Sequence, residues 1–145
     1  MAEGSQLNIK LTLGEILIVA GALVTLIFSF FDFFSPPSGV SGTSAWGDGL
    51  LPVATIIVVF CVIMGLQVVL SKLANVELGT GIAGFTWVQV HIALGFFALL
   101  QSLAFLVVKK GEFGIGVGLI LMLLGSGACF VGAILLSKER AGSSA

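Results

Sequence analysis

Polar side chains fall in clumps along this chain, and between the clumps run four long apolar stretches, over residues 11–34, 50–70, 82–108 and 113–136. Within each stretch the apolar positions are nearly continuous rather than alternating, and each is far longer than a strand of a membrane barrel. A helix needs about 20 such residues to cross the hydrocarbon layer. The pattern predicts an all-α membrane protein, with one four-helix domain over 1–145 and four transmembrane spans. The connections are short, "SKLANVE" between the second and third stretches and "KKGE" between the third and fourth. Short connections make neighbours antiparallel, so an up-down-up-down bundle is expected.

Composition removes the soluble alternative. The chain is 58% hydrophobic and only 9% charged, where a soluble domain carries about 25% charged residues. The net charge of -1 supplies no basic field for nucleic acid, so the expected partners are the lipid bilayer and other membrane proteins. The first stretch does not read as a cleaved signal. Its basic flank is Lys10 alone, and it ends in "FSFFDFFS" instead of a small-residue site. Four spans put both termini on one side, with Lys10, Lys72, Lys138 and Arg140 there and Lys109 and Lys110 opposite. Four basic residues against two favour cytoplasmic termini. The loop "SPPSGVSGTSAWGDG" then faces outside, and the ends "MAEGSQ" and "SKERAGSSA" read as frayed tails.

Glycine spacing marks the packing faces. Gly118, Gly125 and Gly132 recur every seven residues, and Gly114 lies one turn before Gly118. In a membrane such a stripe lets another backbone approach closely. The first stretch carries Gly14, Gly21 and Thr25 near the heptad Glu15, Ala22, Ser29. These faces meet each other inside one bundle, or the last helix offers its stripe to a second copy or to another membrane protein. Spacing alone does not separate the two.

Ionisable groups inside a span are costly and become the candidate site by default. Glu15 lies a turn inside the first stretch, and Asp32 lies at its far end. His91 is the only histidine. With a helix entering near Ile82, it would sit about 13 Å deep. Glu15, Gln67 and His91 are read as one intramembrane polar cluster, in which Glu15 or Gln67 hydrogen-bonds the imidazole. Gln89 points to another side of the same helix. Trp87 fits an aromatic belt at the interface. Gln101 is about 15 Å further on, too far for a relay.

No recognisable enzyme constellation accompanies these residues. Cys61 and Cys129 sit in mid-run and read as packing residues, without metal-site spacing. Ser126 carries no nucleophile motif, and "GIGVGL" lies inside an apolar run, where a phosphate loop has no place. The expectation is a protein with no catalytic residues, metal or cofactor.

Three motifs carry a resemblance. An aromatic cluster closes the first stretch ("FSFFDFF"), a small-residue loop with tryptophan and glycine follows ("TSAWGDGLL"), and the last stretch opens with "FGIGVGLIL" and ends in "SKE". In these the chain resembles a group of small four-span membrane proteins of unknown function common in actinobacteria. That resemblance implies a bacterial plasma-membrane location and a four-span topology, and it transfers no functional residue. The function expected is a structural or interaction protein that assembles with itself or with envelope proteins. A small transporter or channel subunit is the alternative.

Overall fold

The computed structural model describes residues 10–47, 52–108 and 113–143. The whole "KKGE" segment, with the Lys109–Lys110 pair, lies outside them, as do the first nine residues. Four helices coincide with the four apolar stretches: α1 Leu13–Phe28, α2 Val53–Lys72, α3 Trp87–Val107 and α4 Val117–Ser143. Three of them, α2, α3 and α4, are long and apolar enough to cross a membrane, whereas α1 has only 16 residues. Two-residue ladders complete the fold. Strand β1 (Phe34–Ser35) pairs antiparallel with β4 (Gly114–Ile115), and β2 (Gly81–Ile82) pairs with β3 (Phe85–Thr86).

The helix ends differ from those expected, each for a local reason. The first stretch does not stay helical to residue 34. After Phe28 the chain turns back and pairs with itself, Phe33 N–H donating to Thr43 O at 2.8 Å and Ala45 N–H to Ser29 O at 3.1 Å. The third helix starts at Trp87, not 82, because Gly81 to Thr86 form a tight hairpin whose turn holds Ala83 and Gly84 at positive φ. Thr86 and Gln89 then close a reciprocal cap. The Thr86 hydroxyl accepts from Gln89 N–H, and the Gln89 side chain accepts from Thr86 N–H. Thr12 and Glu15 build the same box at the start of α1. Such boxes satisfy helix-terminal N–H groups that nothing else in the helix can reach. The "SKER" segment, expected as frayed tail, continues α4 as helix to Ser143.

Around the bundle α1 packs on α2 and α4, and α3 packs on the other side of both. The α1–α4 contact is backbone against backbone. A β-carbon on Gly21 would lie 2.5 Å from Gly125 O and 2.9 Å from Cys129 N. One on Gly14 would lie 2.7 Å from Gly132 O, and one on Gly132 would lie 2.7 Å from Gly14 O. Gly118 continues the seam against the carbonyls of Phe28, Phe31 and Asp32. Gly114 does not belong to it, because it sits in β4 before the helix begins, beside Ser35. Three of the four stripe glycines therefore face α1 of the same chain. Elsewhere Gly65 admits Ala22, and Gly95 admits the backbone of Phe130.

The remaining core within the helices is made of small and medium side chains, with Ile18, Ile57, Met64, Leu119, Met122, Cys61 and Cys129 all fully buried. Glycine costs a helix about 1 kcal/mol relative to alanine, so its repeated use here requires a packing return. Gly125→Leu is expected to lose about 1–3 kcal/mol of stability by overpacking. Its new side chain would collide with the Thr25 hydroxyl and Gly21 O. Gly127→Ala is the control: its β-carbon meets only Leu99 at 3.9 Å. Thermal unfolding in detergent should place it at or above the parent.

Candidate functional site

The polar residues that meet at the α1 N-terminus come from three helices, α1, α2 and α4. Glu15 is 2% exposed, yet its carboxylate is fully engaged. One oxygen accepts from Thr12 N–H at 3.0 Å, and the other lies 3.3 Å from Lys72 Nζ, the last residue of α2. Glu139 reaches the same helix end from α4, accepting from Gly14 N–H at 3.3 Å. Two carboxylates thus sit at the N-terminus of α1, where the unpaired N–H groups and the helix dipole favour negative charge. The sequence reading missed Glu139, which it assigned to a tail. The signal was present, since position 139 continues the heptad of 118, 125 and 132.

His91 is 1% exposed, and neither ring nitrogen has a hydrogen-bond partner among the described residues. The expected bond to Glu15 or Gln67 is therefore not made. Both oxygens of Glu15 are taken by the helix cap and by Lys72. Gln67 is buried on α2, but it does not engage the imidazole. The depth changes too: counted from Trp87, His91 lies four residues into α3, about 6 Å at helical rise, not 13 Å. The Trp87 indole is its aromatic neighbour, at 6.5 Å between centroids. The Glu15, Gln67 and His91 side chains are thus buried from three helices without forming one hydrogen-bonded unit. A second orphan atom, Glu139 Oε2, is buried on α4.

The other polar residues have structural work. Gln89 caps α3. Trp87 Nε1 donates to Gly79 O at 3.1 Å and ties the connecting loop to the helix start. Gln101 Nε2 donates to Val53 O at 3.0 Å, bracing α3 against the first turn of α2. The buried hydroxyls of Ser102 and Ser126 lie 3.1 Å apart across α3 and α4. Thr25 donates to Gly21 O at 2.8 Å within α1. Cys129 donates to Ile18 O at 3.5 Å, and both cysteines are free and buried. Among the described residues no three His, Cys, Asp or Glu side chains gather as a metal site. Asp32 is exposed at the far end of the bundle, against Gly42.

Apolar grooves flank α1 on both sides. One of about 160 Å³ runs between α1 and α2 over Ala22 and Gly65, and one of about 260 Å³ runs between α1 and α4 over Gly21 and Gly125. Neither adjoins His91. Comparison with protein-family models, with curated proteins and with solved structures returns no match.

A buried polar group without a partner costs about 1–3 kcal/mol, and an apolar replacement removes that cost. His91→Leu is therefore expected to leave the thermal midpoint unchanged or to raise it. Thr12→Ala, which opens the α1 capping box, should lower stability by about 1 kcal/mol. A steep loss of stability in His91→Leu would mean that the ring is bonded in the protein.

Proposed function

We propose that this chain is a non-enzymatic, multi-pass membrane protein that works by assembling with itself or with other membrane proteins of the bacterial cell envelope. α2, α3 and α4 supply three crossings by length and hydropathy. α1 makes the fourth with the help of its flanks, and both termini lie in the cytoplasm. The bacterial plasma membrane follows from the resemblance of the "FSFFDFF", "TSAWGDGLL" and "FGIGVGLIL" elements to small four-span actinobacterial proteins.

One observation carries the reading. The polar groups of the interior are spent mainly on caps and interhelical contacts, while the outward faces are apolar between helix ends that expose Lys72, Gln89, Lys138 and Arg140. Leu23, Ile27, Ile56, Ile63, Phe97 and Leu100 are all exposed. Because the glycine seam of α4 is filled by α1, association with a partner falls to another face. α3 supports that role best: only 22% of its most apolar stretch is buried, against 44% in α2 and in α4. Phe96, Phe97, Leu100 and Leu103 are exposed along it.

A transporter or channel subunit is the second reading, favoured by the orphaned imidazole of His91. A pH-dependent uptake or current in reconstituted vesicles, lost in His91→Leu, would select it. For the assembly reading, native mass spectrometry in mild detergent is expected to find an oligomer, or a complex with another membrane protein drawn from native membranes. Phe97→Ser with Leu100→Ser should dissociate that complex without lowering the thermal midpoint. A strictly monomeric species with no cross-linked membrane partner would contradict the proposal.

A further inference from the structure

Residues 29–47 look, by composition, like a loop projecting into water. The structure folds them down onto the bundle instead. Phe33 and Ala45 are fully buried, and Phe33 packs edge-on against Phe105 of α3 at 4.8 Å. The Thr55 hydroxyl of α2 donates to Ala45 O at 3.2 Å. Phe105 lies two residues from the end of α3, and Thr55 lies two residues from the start of α2. The segment therefore lies at the same depth as the terminal turns of two spans, beside them.

The reason is the length of α1. Its 16 residues extend about 24 Å at helical rise, short of the roughly 30 Å of hydrocarbon. Its start is level with the end of α2, since Glu15 pairs with Lys72. The shortfall relative to α2 is thus at the Phe28 end, and residues 29–47 fill it.

Irregular backbone is tolerated at membrane depth only where the protein itself satisfies its polar groups. This segment meets that condition at its key positions. Phe33 N–H donates to Thr43 O, Ala45 N–H to Ser29 O, Gly116 N–H to Phe33 O and Gly118 N–H to Asp32 O. The Trp46 indole N–H donates to Ser29 Oγ at 2.9 Å while its ring stacks on Phe30 at 5.7 Å. Asp32 is the sole charge in 29–47. Outward the cap presents a mixed, interface-like surface: Phe30, Phe31, Val40, Trp46, Phe113 and Ile115 are 66%, 49%, 56%, 37%, 43% and 44% exposed, beside exposed Asp32, Ser35, Ser38 and Ser41.

We propose that this cap is a lipid-binding surface, embedded in the interfacial layer of the leaflet opposite the termini, with the Phe30–Trp46 stack as its anchor. The inference rests on the membrane-spanning reading above. Aromatic rings with one polar edge favour that layer, and here the indole N–H is already bonded within the protein, so the ring can sit at its hydrocarbon side.

The chain has two tryptophans, so Trp87→Phe leaves Trp46 as the reporter. The variant is reconstituted into phosphatidylcholine vesicles carrying acyl chains brominated either near the headgroup or near the terminal methyl, with iodide as the aqueous quencher. Loss of emission with the shallow bromines, little loss with the deep ones and little with iodide is expected. Trp46→Phe, tested in parallel, should remove that lipid-quenched component. Strong quenching by iodide but not by brominated lipid, in a protein retained through an alkaline carbonate wash, would overturn the cap proposal and leave the spanning reading intact. Release of the protein by the wash would overturn both.

Discussion

The bundle depends on the line where α1 and α4 touch backbone to backbone. Between helices in lipid there is no hydrophobic gain to collect, because acyl tails are as apolar as leucine, so association rests on packing and on short-range polar contacts. Gly14 and Gly21 on one helix, and Gly118, Gly125 and Gly132 on the other, bring carbonyls to within about the distance a β-carbon would need. That approach fixes the axial register of α1. It brings Glu139 to the first turn of α1, leaves Glu15 to meet Lys72, and carries the Phe28 end to the start of α4, where the cap is assembled. Each of these features would shift by a turn if the seam slid.

The interior polar groups fit the same constraint. Thr25 bonds the backbone of its own helix, Ser102 and Ser126 meet across two helices, and Cys129 donates to a carbonyl of α1. All are small enough to leave the backbones close. Larger polar groups sit toward the ends, where helix-terminal N–H groups need acceptors. His91 is the exception. It is buried near the start of α3 with both nitrogens orphaned among the described residues, and the packing does not explain its presence.

Much of the architecture was legible in the order of residues. Long runs with few charges located the four helices, because hydrophobic length is a direct requirement of the bilayer, and heptad glycines marked the packing face of α4. Less legible was what depended on register between distant segments. Glu15 was expected beside His91, yet the Thr12–Glu15 box and Lys72 claim it first. The T-x-x-E and T-x-x-Q signatures at 12–15 and 86–89 were readable, and they would have moved the start of α3 from 82 to Trp87 and shortened the depth of His91. The fold of 29–47 could not be read locally. Its hydrogen bonds reach across to β4 and α2, and glycine, serine and proline in that stretch resemble an ordinary exposed loop.

The most direct measurement is of interhelical proton contacts across the seam, by nuclear Overhauser spectroscopy on the isotopically labelled protein in detergent micelles. The account expects cross-peaks from Gly21 Hα to the Cys129 amide, from Gly14 Hα to the Leu136 amide and from Gly132 Hα to the Ile18 amide. They should persist unchanged when labelled protein is diluted with unlabelled, as contacts within one chain must. Contacts from those glycine protons to detergent tails alone, or cross-peaks that weaken on isotopic dilution, would contradict the claim that α1 and α4 of one chain close the bundle.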